Sequence, residues 1–294
     1  ENLKDISERH HLHLTEAELE TYYDIVGGVM ESYDALDQIP DPVRPLTEAI
    51  RQVGARPEPE DDPLNGVVRL CSVKAVNPGN GALAGKTIGL KDTISIAGIP
   101  MTCASRLLWD YTPDGDATVV KRLIEADGHI THILSTDDFG FAGTGHTSGY
   151  GPAKNPVNPK HHPGGSSSGS AIGIAEGLVD LTLGGDQGGS IRIPAAWSGI
   201  VGLKPSHGLI PYTGIVGFDL SIDHIGPMTK TVADTALMLS VLAGADDTCI
   251  DPRQPSTVGP QDYLGALEGS AKGLKVAVVE ESFGHEGVST REVD

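Results

Sequence analysis

Apolar positions along this chain fall into two kinds of pattern with a break between them. Over residues 1–37 they recur every three to four places. Leu19, Tyr22, Tyr23, Val26, Met30 and Tyr33 form one stripe, the mark of an amphipathic helix. Thr15 followed by Glu18 supplies a capping box at its start. The stripe predicts that the three tyrosines are core or interface anchors. From residue 39 to 64 periodicity gives way to proline and acid, which predicts a linker. Beyond it, short apolar runs alternate with helical patterns. Strands are expected at 66–73, 86–90, 128–134, 178–183 and 273–279. Helices are expected at 116–126 (capped by Asp114 or Asp116), 170–176, 190–197 and 231–243 (capped by Thr229 or Thr231). This strand–helix–strand rhythm predicts crossover connections and a parallel or mixed sheet, an α/β fold. The division expected is 1–65, helical region and linker, and 66–294, the main domain.

Composition narrows the class. An apolar fraction of 38%, with 38 glycines and 20 prolines, suits a turn-rich globular chain and not a fibrous or disordered one. No apolar run approaches the roughly 20 residues of a membrane span. The polar start has no signal-peptide core, so a soluble cytoplasmic protein is expected. Lys plus Arg number 21 against 40 Asp plus Glu, a formal charge of −19. That charge disfavours nucleic acid and anionic membranes as partners. Cys71, Cys103 and Cys249 are scattered, which argues against a disulfide framework and against zinc. His10, His11 and His13 read as a metal cluster or, more simply, as a solvated lead-in to the helix.

Candidate chemistry gathers in two serine- and glycine-rich segments, GGSSSGS from Gly164 and GDQGGS from Gly185. Gly165 to Gly169 matches G-x-S-x-G, but a nucleophile elbow needs a strand running into it, and Pro159 and Pro163 forbid one. The run Gly143 to Gly149 lacks the spacing and the following helix of a dinucleotide loop. Asp186-Gln187-Gly188-Gly189-Ser190 sits between an expected strand and an expected helix. There the N–H groups of Gln187, Gly188, Gly189 and Ser190 could converge as an oxyanion hole beside a nucleophilic Ser190. A tight glycine turn with a serine cap fits the same residues. Lys91, after an apolar strand, reads as a surface charge or a buried functional amine, and periodicity favours the surface. The long loop after Thr136 is rich in Gly, Pro, Asn and His, and loops of that length in compact domains are usually functional.

GGSSSGSA followed by GGDQGGSIRIPAA resembles the signature of the amidase signature family of serine amidohydrolases. The likeness extends through GKTIGLKDTISIAGIPMT, NPVNPKHHPGG, VGLKPSHGLIPYTG and SIDHIGPMTKTVADTALMLSVLAG, about residues 66–294. The N-terminal helical extension and the Asp186-Gln187 pair most resemble the bacterial Rhodococcus-type (enantioselective) amidases. The resemblance implies a mixed sheet flanked by helices. It also implies a triad of lysine, a serine after a cis peptide bond, and a nucleophilic serine, which fall on Lys91, Ser166 and Ser190. Ser167 and Ser168 leave the register ambiguous. The preceding glycine pair and the 24-residue separation favour Ser166. Gln187, Gly188 and Gly189 are then implied as oxyanion and substrate-binding residues, with Ser167, Asp186 and Arg192 in support.

A neutral Lys91 would act on Ser166, which would relay the proton of Ser190 as it attacks an amide carbonyl, with no metal or organic cofactor. The expected partners are a small amide substrate and a second copy of the chain. Where many family members carry Gly-Lys, this chain has His132-Ile133. Members usually run well beyond this length, so a piece of a longer enzyme, incomplete at its C-terminal end, is expected. Tyr150, Trp197, Ile215 and Phe218 are candidate pocket residues. The competing expectations are the glutaminase component of a tRNA-dependent amidotransferase and a non-catalytic scaffold of the same fold.

Overall fold

The computed structural model describes residues 2–39, 46–246, 251, 253–254, 259 and 261–282. The chain divides into two units, Glu1–Arg44 and Pro45–Asp294. The first is a pair of helices, α1 (Leu3–Arg9) and α2 (Glu16–Asp37). The break falls at residues 10–15, where His11 and His13 take positive φ. Thr15 then opens α2 with the expected capping box: its side chain accepts from the Glu18 N–H, and the Glu18 carboxylate accepts from the Thr15 N–H. No residue of α2 is buried, and Tyr22, Tyr23, Met30 and Tyr33 are exposed. Of the two expectations for the stripe, core or interface, burial in the core does not hold among the described residues.

The second unit carries a seven-stranded mixed sheet in the order β1-β2-β4-β3-β5-β7-β6. The strands are β1 (Ala49–Val53), β2 (Val67–Ala75), β3 (Thr87–Lys91), β4 (His129–Leu134), β5 (Leu181–Gly185), β6 (Val201–Gly202) and β7 (Ile225–Thr229). β3 runs parallel to β4 and β5, while the other pairs are antiparallel. Helices α3 (Thr118–Glu125) and α6 (Val232–Leu242) pack Val119, Val120, Leu123, Met238 and Leu242 with strand residues Val73, Ile88, Leu90, Ile130 and Leu181. Helix α4 (Ser168–Ala175) sends Ala171 into a separate small cluster with Ile191 and Met228 and with Ala195 of α5 (Arg192–Ser198). Three parallel neighbours thus end side by side. The carboxyl edge of such strands is where open α/β sheets place ligands.

Four expectations change. The stretch read as a linker contains β1, an edge strand paired along its length with β2. Its alternation was hidden because Arg51 points inward, donating to the Ala97 carbonyl and pairing with buried Asp116. Asp116 consequently does not cap α3. The N-cap is Ala117, without a side-chain cap, and the Asp116 carboxylate accepts from the Ala97 N–H at 2.9 Å. Residues 273–279 form no strand, and Leu274, Val276 and Val278 are exposed. An apolar run becomes a strand only when a neighbour takes its backbone hydrogen bonds. Finally, β7 was not anticipated, because Pro227 lies within it. The other expected elements are present within a few residues, and Thr231 caps α6 by accepting from the Asp234 N–H.

Candidate active site

Lys91 closes β3 and is 2% exposed. Its Nζ lies 2.7 Å from Ser166 Oγ. Burial pulls the amine down from 10.5 to about 8, against the opposing charges of Asp137 and Asp186 and, more weakly, Cys103. Such an amine releases its proton near neutral pH and can then accept one from a hydroxyl. Asp92, next along the chain, turns away. Its carboxylate accepts from the Thr102 N–H and hydroxyl and from the Ala104 N–H. Burial raises it to about 6, with those hydrogen bonds opposing. Asp92 thereby pins the segment after β3 behind the lysine.

The serine cluster sorts itself by hydrogen bonding. The Gly165–Ser166 peptide bond is cis. Ser166 faces Lys91, whereas Ser167 Oγ donates to the Gly185 carbonyl and accepts from the Gly185 N–H, both at 3.2 Å. Ser168 Oγ meets the Ser135 carbonyl at 3.4 Å and Ser170 Oγ the Leu183 carbonyl at 2.9 Å. Only the first serine of the run is available to the amine. The Ser167 N–H donates to the Ser190 carbonyl, which joins the two serine segments directly.

The turn after β5 is built around Asp186, which is fully buried. Its carboxylate accepts from the N–H groups of Gly189 (2.8 Å) and Ile191 (3.1 Å) and from Arg192 Nε and Nη2 at 3.0 and 2.9 Å. Burial would push this acid up, but the Arg192 guanidinium and the backbone donors outweigh it and hold it below the usual carboxylate range. One sequence expectation needs correction here. The Gly189 N–H belongs to Asp186, so it does not point at a reacting oxygen. Among the described residues the N–H groups of Gln187, Gly188 and Ser190 have no acceptor. The role of Gly189 is steric: its φ is +139°, and a Cβ there would lie 2.7 Å from Ile193 Cδ1. The Gln187 side chain points the other way, donating to Tyr212 Oη at 3.0 Å and Asp223 Oδ1 at 2.8 Å.

Ser190 opens onto a cavity of about 300 Å³ whose walls include Phe141, Gln187, Gly188, Ile193, Phe218 and Ile222. The rings of Phe141 and Phe218, with centroids 5.0 Å apart, pack against each other in its wall. Of the four pocket candidates, only Phe218 lines this space. Ile215 lines a neighbouring cavity together with Phe218. Tyr150 is stacked against Trp109 and under Arg56, and Trp197 is half exposed on α5. Phe141, Asp137, Tyr212 and Asp223 were not singled out in the sequence. The long loop after Thr136 was flagged as a whole, but nothing in its composition distinguished its members. Among the described residues no group of three or more His, Cys, Asp or Glu side chains could hold a metal, and no helix is long and apolar enough to cross a membrane. Cys249 lies outside the described residues.

The comparison with known proteins agrees with this architecture. The family model described as Amidase matches residues 72–291. The A-subunit of the glutamyl-tRNA(Gln) amidotransferase from Exiguobacterium sibiricum is 42% identical over 263 residues, 89% of this chain and 51% of that protein. An enantioselective amidase from Rhodococcus rhodochrous is 46% identical over 230 residues, 77% of this chain and 43% of its own length. The solved peptide amidase from Stenotrophomonas maltophilia superposes with a TM-score of 0.60 at 37% identity, over 64% of this chain and 39% of that one. The chain belongs to the amidase signature family. It spans about half the length of the curated relatives it matches.

Proposed function

We propose that this member of the amidase signature family carries the nucleophile half of a serine amidohydrolase, which cleaves a carboxamide to the acid and ammonia through an acyl-enzyme. The observation that carries the reading is the fully buried contact of Lys91 Nζ with Ser166 Oγ at 2.7 Å, beside a turn with open N–H groups. Neutral Lys91 takes the proton of Ser166, and Ser166 takes that of Ser190 as Ser190 attacks the carbonyl carbon. The N–H groups of Gln187, Gly188 and Ser190 receive the developing oxyanion. The relay then runs backwards: Ser166 protonates the departing nitrogen, and water enters by the same path.

The cavity beside Ser190 supports an uncharged, apolar acyl group. Its walls carry two phenylalanines and two isoleucines and no charged side chain. A glutaminase reading is favoured by the relatives named as components of amidotransferases. Glutamine brings an ammonium and a carboxylate that this lining does not match, so we rank the amidase of Rhodococcus type first. The test is mass spectrometry after phenylmethylsulfonyl fluoride, paired with ammonia release from benzamide, propionamide and glutamine. One adduct on Ser190, lost in Ser190→Ala, with release from benzamide, is expected. An adduct on Ser166 or Ser168 would overturn the residue roles, and release from glutamine alone would overturn the substrate class.

A further inference from the structure

Gln187 stands three residues before Ser190, yet its side chain leaves their shared turn. Its Nε2 donates to Tyr212 Oη at 3.0 Å and to Asp223 Oδ1 at 2.8 Å. A carboxylate only accepts, so the amide must present its nitrogen there. Tyr212 Oη can accept because its own hydrogen faces the Val216 carbonyl at 3.4 Å. Both acceptors are anchored. The Tyr212 N–H donates to Asp251 Oδ2 at 2.8 Å, and the Arg253 guanidinium lies 4.5 Å from the centre of its ring. Asp223 is 2% exposed, and its carboxylate also accepts from the Phe218 N–H at 3.0 Å and the Asp219 N–H at 3.1 Å. Gly217 passes so close that a Cβ there would collide with Asp223 Oδ2. A continuous chain of hydrogen bonds therefore runs from the Ser190 turn through the Gln187 amide and Asp223 to the backbone of Phe218.

Phe218 borders two cavities of about 300 Å³ each, the one beside Ser190 and a neighbour lined by Tyr212, Asp251 and Arg253. Its ring thus fixes where the apolar space beside Ser190 ends. Residues 217–219 belong to no strand or helix, so no sheet or helical ladder holds that ring in place. Without the Gln187 amide, Tyr212 and the buried Asp223 each lose a donor, and a buried acceptor left short is costly. The 217–219 segment can then relax and let the ring move toward the second cavity.

We propose that Gln187 is a positioning residue: its side-chain amide clamps the segment carrying Phe218 onto the Ser190 turn and so sets which acyl groups the cavity accepts. The proposal rests on the reading of Ser190 as the nucleophile of an amidase. The test pairs ¹⁹F NMR with kinetics in Gln187→Met, which keeps the length of the side chain and removes its donors. The chain has four phenylalanines, and after labelling with 4-fluorophenylalanine the Phe218 signal is assigned by its loss in Phe218→Leu. In Gln187→Met that signal should move toward the position of the free amino acid and broaden or split. The ratio of kcat/KM for benzamide to that for propionamide should fall about tenfold, because the flat acyl group loses its wall. An unchanged Phe218 signal in the folded variant would overturn the proposal. So would a loss of kcat equal for both amides with KM unchanged, which would assign the side chain to the oxyanion turn instead. Should the variant not fold, the wild type decides: the Gln187 side-chain amide protons must show nuclear Overhauser contacts to the Tyr212 ring, and their absence overturns the clamp. Ammonia release from glutamine alone in the wild type would overturn the amidase reading, while a displaced Phe218 signal in Gln187→Met would still support the clamp.

Discussion

The two serine- and glycine-rich segments have nearly the same composition and opposite hydrogen-bonding states. In the first, every serine from Ser166 to Ser170 has a partner for its hydroxyl, and three of the four are tied to backbone of the sheet and its exits. In the second, the side chain of Asp186 gathers the donors behind it, while three N–H groups and the Ser190 hydroxyl remain without partners among the described residues and border a cavity. Buried polar groups are ordinarily satisfied, so a set left open beside a cavity is the unusual one. On the proposed reading, the first segment holds a proton acceptor in place and the second receives a developing charge. Neither role can be assigned from the serine and glycine content alone.

The sharpest break in this contrast is expected from Ser190→Ala. Amide hydrolysis should fall by about 10⁴-fold or more while the fold persists, checked by ammonia release and circular dichroism. Lys91→Met should reduce the rate by about 10³-fold, since on the proposed reading it removes the proton acceptor. Its effect on stability has the opposite sign. The amine titrates near 8 when folded against 10.5 when free, so below pH 8 the native state carries a buried charge that the unfolded state carries in water. Wild-type stability should therefore rise between pH 8 and 10.5. Below that window Lys91→Met should be more stable than wild type by up to about 3 kcal/mol, an advantage that vanishes above it in urea titrations.

Within the first segment, Ser166→Ala should lower the rate by about 10²-fold or more. Ser167→Ala should leave the rate within a few-fold and instead lower stability by about 1–2 kcal/mol, because it strips both contacts to Gly185. Equal effects on rate would erase the distinction between the two serines. The smallest contrast lies between the two glycines of the second segment. Gly189→Ala meets Ile193 at a positive φ and should lower stability by about 1–3 kcal/mol. Gly188→Ala has open space and should change it by less than about 0.5 kcal/mol, which thermal melts would resolve.

How legible the molecule was depended on whether a feature is local. Helix α2, with its capping box, and α6, with its Thr231 cap, announce themselves in consecutive residues, because capping and periodicity involve atoms a few places apart. Strands β2, β3 and β4 were visible for the same reason. β1 was not, because the inward Arg51 finds its acid 65 residues away and so breaks the alternation. Periodicity alone favoured the surface for Lys91. Only the likeness to a family moved it inside, since burial of a charged side chain depends on partners distant in the chain.

Sequence by itself determined the α/β class, the mixed sheet, the family and the two segments where chemistry was to be sought. These follow from spacing, capping and long motifs, all written in contiguous residues. Tertiary structure alone decided that Ser167, Ser168 and Ser170 bond backbone carbonyls, that the Gly189 N–H is taken by Asp186, and that Phe141 and not Tyr150 lines the cavity beside Ser190. Each is a matter of which atoms meet when β3, β4 and β5 end together. That meeting is set by packing across the sheet, so no stretch of the chain records it.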